Sequence, residues 1–325
     1  MPTQGSERHL IDTKSAPTGA HRVVVGLDDS TASRAALSWA VDEAIRRGAA
    51  LDVVHAWRPM YRNPADPLEN TDVGATSQTH GDAMLTAALS SLRASHPQLA
   101  VARHLVRGRP SAVLLEAAAG AGLLVVGARG VGGCSGLSLG SVALHVVANA
   151  SCPVVVVRGT QRSVGPVVVG IDGSSESPAV LAAAFKEAER RGSPLCVVWA
   201  LYIHSKAEGV PDPVAAQAVA EADARSALKP LLASASRHYP QLEVLTSFDV
   251  GYPAEALVNA STTARLLVIG ARGGGGFVGM EIGSIAHATV HQSRCPVLVV
   301  RSTATESGSS AEGEGSRSAT VAERV

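Results

Sequence analysis

The sequence predicts an α/β protein made of two tandem Rossmann-like domains, each an open parallel sheet with helices on both faces. Three observations predict it. Short, almost continuously apolar runs alternate with longer helical patterns. Such runs are strands buried on both faces of a parallel sheet, and the alternation specifies an open α/β architecture. The pattern also occurs twice: VVVGLDDS at Val23–Ser30 recurs as VVVGIDGS at Val167–Ser174, and SCPVVVVR at Ser151–Arg158 recurs as RCPVLVVR at Arg294–Arg301. Finally, one glycine frame, G-x2-G-x9-G-S, follows the apolar runs Leu123–Val126 and Leu266–Ile269.

In the first copy, Arg22–Leu27 reads as a strand, followed by an alanine-rich helix over Ala32–Arg47 that stops at Gly48. Strand Ala50–Trp57 follows, then a polar, proline-containing stretch through about Thr76. The periodicity next predicts a helix over His80–Ser95, strand Ala100–Val106, helix Ser111–Ala119 and strand Leu123–Gly127. Helix Ser141–Ala150 and strand Pro153–Arg158 close the copy. The domains are expected at residues 20–160 and 164–302. Residues 1–19 lack periodicity and residues 303–325 are rich in Ser, Gly and Glu, so both are expected to be disordered tails.

Composition narrows the function. The chain of 325 residues carries 28 residues of each charge sign, so its overall charge implies no polyanion-binding surface. Aromatics at 3% leave no stacking platform for single-stranded nucleic acid. The four cysteines form no C-x-x-C pair and no zinc spacing, which favours a reducing compartment and no structural metal. Cys152 and Cys295 hold equivalent places and read as buried apolar filler, whereas Cys134 lies inside a glycine frame. No apolar run approaches the ~18 residues of a membrane helix, and the first twenty residues have no signal-peptide core. A cytoplasmic protein is expected, with neither membrane nor nucleic acid as partner.

The frames read GARGVGGCSGLSLGS at Gly127–Ser141 and GARGGGGFVGMEIGS at Gly270–Ser284. A strand feeding a glycine-rich loop and then a helix start builds a cradle of backbone N–H groups for phosphate. Gly127, Gly130 and Gly140, with Gly270, Gly273 and Gly283, allow conformations and close approaches that a Cβ would obstruct. Ser141 and Ser284 stand at a helix start. Each reads both as an N-cap and as a phosphate contact, helped by the N–H groups of Val142 and Ile285 and by the helix dipole.

Taken together, the frame, the VGIDGS-type first strand and the terminal CPVVVV strand resemble the universal stress protein family. Both copies match, so the chain looks like a tandem two-domain member of the actinobacterial type. The resemblance implies a sheet of five parallel strands in the order 3-2-1-4-5 in each half, the adenine nucleotide alpha hydrolase-like arrangement. It also implies ATP binding where the frame is intact, with Mg2+ carried mainly by the phosphates. In a sheet of that order, ligands bind outside the carboxyl ends of strands 1 and 4, where the connections diverge.

The resemblance assigns Gly127, Ala128, Arg129, Gly130, Val131, Gly132 and Gly133 to the triphosphate and ribose. In the second copy the same assignment falls on Gly270, Ala271, Arg272, Gly273, Gly274, Gly275 and Gly276. Asp28 and Asp172 match an aspartate at the adenosine end, although a capping or turn role remains open. Gly26 and Gly170 are expected to clear space for the ring. Ala56 and Ala200 stand where the family often packs a valine on adenine. Arg129 and Arg272 read equally as phosphate partners and as solvated loop residues. Leu137 and Met280 replace a basic residue found in some relatives, which leaves the phosphates fewer cationic partners.

No G-x4-G-K-[ST] loop is present, and the G-x-G-x-x-G at Gly274, Gly276 and Gly279 lacks the expected acidic partner. No catalytic residue is assigned, and the histidines read as surface or core. The expectation is a nucleotide-dependent switch or sensor in stress response, with at most slow hydrolysis. A slow ATPase or phosphotransferase using Asp28 or Asp172, and a nucleotide-free scaffold, are the alternatives. The valine-rich last strands, as unpaired edges, are expected to mediate self-association as an intramolecular pseudo-dimer or a homodimer.

Overall fold

The computed structural model describes residues 21–58, 73–131, 138–201, 213–274 and 281–301. Both expected tails and most of the polar stretch before Thr76 lie outside these residues. So do Gly132, Gly133, Cys134, Leu137, Gly275, Gly276, Gly279 and Met280.

The first half runs β1 (Arg22–Gly26), α1 (Thr31–Arg47), β2 (Ala50–Trp57), α2 (Val73–Ser95), β3 (Val101–Arg107), α3 (Pro110–Ala117), β4 (Leu123–Gly127), α4 (Ser141–Asn149) and β5 (Val154–Val157). The second runs β6 (Val167–Ile171), α5 (Ser177–Arg191), β7 (Leu195–Leu201), α6 (Pro213–Ser236), β8 (Val244–Val250), α7 (Pro253–Ala260), β9 (Leu266–Gly270), α8 (Ser284–Gln292) and β10 (Val297–Val300). One expectation is corrected: α2 starts at Val73, not near His80. Its first residues, from Val73 to Thr79, carry no apolar period, but no proline interrupts them, so the helix extends backward from its amphipathic part.

Strand order within the halves is 3-2-1-4-5 and its repeat, all parallel. The halves then join through one antiparallel pair: Val154, Val155 and Val156 of β5 face Val299, Leu298 and Val297 of β10. The result is a ten-stranded sheet, β3-β2-β1-β4-β5-β10-β9-β6-β7-β8. Joining at the valine strands removes two apolar edges from solvent, and every residue of β5 and β10 is buried.

Two apolar cores flank the sheet. One packs α1, α2, α5 and α6 against alternate strand residues such as Val23, Val25, Leu51 and Val169. The other packs α3, α4, α7 and α8 against Val24, Val54, Leu124 and Leu267. Local chemistry bounds the helices. Ser30 caps α1 by accepting the Ser33 N–H, and Gly48 ends it at φ 57° with its N–H on the carbonyls of Ala44 and Ile45. Gly192 ends α5 in the same way at φ 55°.

The seam between halves is also polar and follows the repeat. Buried Glu43 on α1 accepts from Arg46 at 2.6 Å, Arg47 at 2.6 Å and Arg191 of α5 at 2.7 Å. Glu187 accepts from Arg190 at 2.8 Å, from Arg191, and from Arg47 across the seam at 2.7 Å. On the other face, Arg158 donates to the Val290 carbonyl and Arg301 to the Val147 carbonyl, each reaching the last helix of the opposite half.

Candidate functional site

Two crevices of about 280 Å³ and about 300 Å³ open at equivalent places, outside the carboxyl ends of β1 and β4 and of β6 and β9. Strand order explains the position: connections leave β1 and β4 toward opposite faces, and the gap between them is the crevice. The first is lined by Gly26, Asp28, Ala56, Gly127, Ala128, Arg129, Gly130, Gly140, Ser141 and Val142, among others. The second is lined by Gly170, Asp172, Ala200, Gly270, Arg272, Gly273, Gly283, Ser284 and Ile285, among others. Residues about a hundred positions apart in sequence thus meet at one place in each half.

Each aspartate fastens its glycine loop. Asp28 Oδ2 accepts the Val131 N–H at 3.0 Å, while Oδ1 accepts the Ser30 N–H at 3.2 Å and hydroxyl at 2.7 Å. Asp172 Oδ2 accepts the Gly274 N–H at 2.8 Å, and Oδ1 accepts the Ser174 N–H at 2.9 Å. Burial by itself would raise both carboxyls, but the hydrogen bonds outweigh it and hold both below the ordinary aspartate range. Both are therefore anions at neutral pH. A Cβ on Gly130 would overlap Asp28 Oδ2, and one on Gly273 would lie 2.6 Å from Asp172 Oδ2. Glycine is needed at these positions for the latch itself.

The helix starts supply donors. Gly140 N–H is spent on the Ala128 carbonyl at 2.7 Å, and Leu144 N–H is the first to return to Gly140 O, at 3.0 Å. The N–H groups of Ser141, Val142 and Ala143 between them have no intrahelical partner. The second half repeats this with Gly283 on Ala271 at 2.8 Å and His287 on Gly283 at 2.9 Å, leaving Ser284, Ile285 and Ala286. Three amides at the positive end of a helix dipole suit an anion.

Several expectations need correction. Gly140 and Gly283, not the serines, are the N-caps, with φ −80° and −72°; Ser141 and Ser284 are the first helical residues. Neither capping glycine is obligatory, because a Cβ there would meet nothing closer than 3.5 Å. Gly26 and Gly170 clear space for a leucine as much as for a ligand: their Cβ positions lie 3.1 Å and 2.6 Å from the side chains of Leu114 and Leu257. Ala271 is fully buried and does not line its crevice, since its N–H bonds Val300 O and its methyl turns inward. Val131 is 70% exposed, and a Cβ on the matching Gly274 would make only ordinary contacts, 3.8 Å at the nearest.

His55 Nδ1 lies 2.7 Å from the Leu27 carbonyl at the rim of the first crevice, while Trp199 packs against Gly173. Asp29 is left-handed at φ 68° and pairs with Arg34, a turn role like that of Gly173 at φ 76°. Cys152 and Cys295 are buried thiols, each pushed up to about 11 by burial. Sequence reasoning missed Leu114, Leu257 and Glu176 as lining residues. It also missed His287 and His291, one turn apart on α8 with ring centroids 4.4 Å apart, the second bonded to Ser138 of the first half at 2.8 Å. Their i,i+4 spacing was the available signal. Leucine positions on short helices carried none, because only the chain path aims them.

Among the described residues no helix is long and apolar enough to cross a membrane. A family model described as "Universal stress protein family" matches residues 19–158 and again 164–301. Universal stress protein Rv2005c of Mycobacterium tuberculosis is 34% identical over 299 residues, spanning 88% of this chain and 99% of the relative. Universal stress protein Rv2623 of the same organism is 34% identical over 295 residues, spanning 87% and 97%. Among solved structures, a universal stress protein from Archaeoglobus fulgidus superposes with a TM-score of 0.60 at 17% identity, over 86% of this chain and 96% of that one, which bears on the fold alone. Two matches of one family model, together with relatives of full length, show that this chain belongs to the universal stress protein family as a tandem two-domain member.

Proposed function

We propose that the protein binds one ATP in each domain and that occupancy acts as a stress-responsive switch in the cytoplasm. The observation that carries this reading is the twofold convergence, on one crevice, of a latched glycine loop and three helix amides without an intrahelical partner. In the first domain the N–H groups of Ser141, Val142 and Ala143, with the loop at Arg129 and Gly130, would hold the phosphates. Asp28 would accept from the ribose through Oδ2, which keeps acceptor capacity beyond its bond to Val131. Ser284, Ile285, Ala286, Arg272, Gly273 and Asp172 would do the same in the second. Magnesium would be held mainly by the phosphate oxygens.

The switch follows from where the loops attach. Ser138, within the first frame, bonds His291 of the second domain, and the Glu281 carbonyl of the second frame accepts from Arg301 at 2.7 Å. A ligand that orders either frame therefore acts on the seam that joins the domains, and through it on self-association. With no side chain assigned as a general base, turnover would be slow.

Calorimetric titration with ATP, ADP, AMP and cyclic AMP tests the reading. The wild type should bind two equivalents of ATP. Gly140→Val and Gly283→Val should each remove one, because a Cβ at either position already lies at contact distance from the loop backbone, 3.5 Å at the nearest, and the branched side chain would take up room beside the helix amides. Absence of heat with every nucleotide would overturn it.

A further inference from the structure

The two crevices differ at one charged position. In the second, the Glu176 carboxylate lines the crevice and its Oε2 accepts the Arg272 N–H at 3.2 Å. The matching residue in the first half is Ala32, whose methyl does not line the crevice. Sequence explains the change of backbone: Pro178 follows Ser177, so α5 starts at Ser177 with Glu176 at its N-cap, while α1 starts earlier, at Thr31. Glu176 is thereby left outside the helix, beside the strand end, with Oε2 only 3.1 Å from where a Gly270 Cβ would stand.

We propose that Glu176 makes the two sites unequal, so that the first domain binds ATP more tightly than the second, whose preference shifts toward adenine compounds carrying less negative charge. The inference rests on the adenine-nucleotide reading above. Arg272 N–H is one of the loop donors an incoming phosphate would use, and an internal anion already holds it. A phosphate placed there meets a like charge at the crevice wall, where screening by water is weaker than on an open surface. The surrounding charges differ in the same sense. Behind the first loop, Arg158 feels Arg294 and Arg129. Behind the second, Arg301 feels Arg272 but also the carboxylates of Glu176 and Glu281. The charged neighbours of Arg158 are arginines, whereas beside Arg301 two carboxylates offset Arg272.

The test uses full-length protein with ATP and with adenosine, the latter carrying no phosphate. Gly283→Val leaves the first site to be titrated, and Gly140→Val the second. ATP should bind the first site at least about tenfold more tightly, a ratio equivalent to roughly 1.4 kcal/mol; adenosine should bind the two sites alike. Glu176→Gln keeps the bond to Arg272 N–H and removes the charge, and should bring the ATP ratio to within about threefold while leaving adenosine unchanged. Retained adenosine binding shows that each variant is folded. Equal ATP affinities in the wild type, or a ratio that survives Glu176→Gln, would overturn the inference and leave the nucleotide reading intact. Binding of neither probe at either site would remove both.

Discussion

Glu43 and Arg191 form a 2.7 Å ion pair across the two halves of the chain, with side chains 0% and 2% exposed. The repeat supplies its mirror image in Arg47 and Glu187, at 2.7 Å. Two helices that would otherwise bring four arginines together, Arg46, Arg47, Arg190 and Arg191, are held by two carboxylates that each accept from both sides of the seam. Burial favours the protonated form of Glu43, but Arg191 and Arg47 more than offset this and hold its carboxyl at about 2, from an ordinary 4.5.

Removing one member should therefore cost more than the pair is worth. Glu43→Ala leaves Arg191 and Arg47 to share Glu187 as their one remaining carboxylate and is expected to lower unfolding free energy by about 3 kcal/mol, the low end for a broken buried pair. Replacing both Glu43 and Arg191 with apolar residues of similar size should cost less than Glu43→Ala alone. Urea denaturation of the three variants checks the ordering.

The same pair sets an acid limit. A depressed folded-state pKa contributes stability that is complete above the unfolded value and lost as pH falls through the folded one. The Glu43 contribution should thus be constant above about pH 4.5 and disappear between there and about pH 2. Thermal melts over this range should show a fall in midpoint that is smaller in Glu43→Gln than in wild type, measured relative to each protein at neutral pH.

The aspartate latches predict a local effect. Asp28→Asn and Asp172→Asn should speed hydrogen exchange at the Val131 and Gly274 amides by roughly tenfold. A bond to a charged acceptor is worth roughly 1.5–3 kcal/mol before solvent screening reduces it, more at exposed Asp172 than at partly buried Asp28. Amides in β1 and β6 should be unaffected. Unchanged exchange at Val131 and Gly274 would show that the loops are held by something else.

Glycines of one frame should respond unequally. Gly130→Ala and Gly273→Ala force a methyl into a carboxylate and are expected to destabilise by about 1–3 kcal/mol. Gly140→Ala and Gly274→Ala make only ordinary van der Waals contacts, at 3.5 Å or more, and should stay within about 0.5 kcal/mol. Chemical denaturation of the four variants separates the roles.

Cys152 and Cys295 should resist thiol reagents in the native protein. Burial pushes both to about 11, so the thiolate is scarce at neutral pH as well as covered. Labelling of either should appear only with denaturant, read by mass spectrometry of the peptides.

Much of this molecule was legible in the chain. Apolar runs such as Leu123–Val126 place strands because a strand buried on both faces has no polar alternative, and Gly48 marks a helix end through its own hydrogen bonds and dihedral. The repeat doubled every signal. Gly130 and Gly273 were legible as necessary, but their reason was not: it is an aspartate oxygen just beyond another strand that forbids the Cβ. Gly140 and Gly283 looked equally necessary and are not, because motif membership does not report free space.

The amino-acid sequence alone determined the α/β class, the duplication and the glycine frames, all of which depend on neighbours along the chain. The tertiary structure alone decided that β5 meets β10 antiparallel, that Glu43 finds Arg191, and that Glu176 enters one crevice while Ala32 leaves the other bare. These are contacts between segments distant in sequence. Their geometry depends on how the sheet twists and where each helix starts, and no local pattern encodes either.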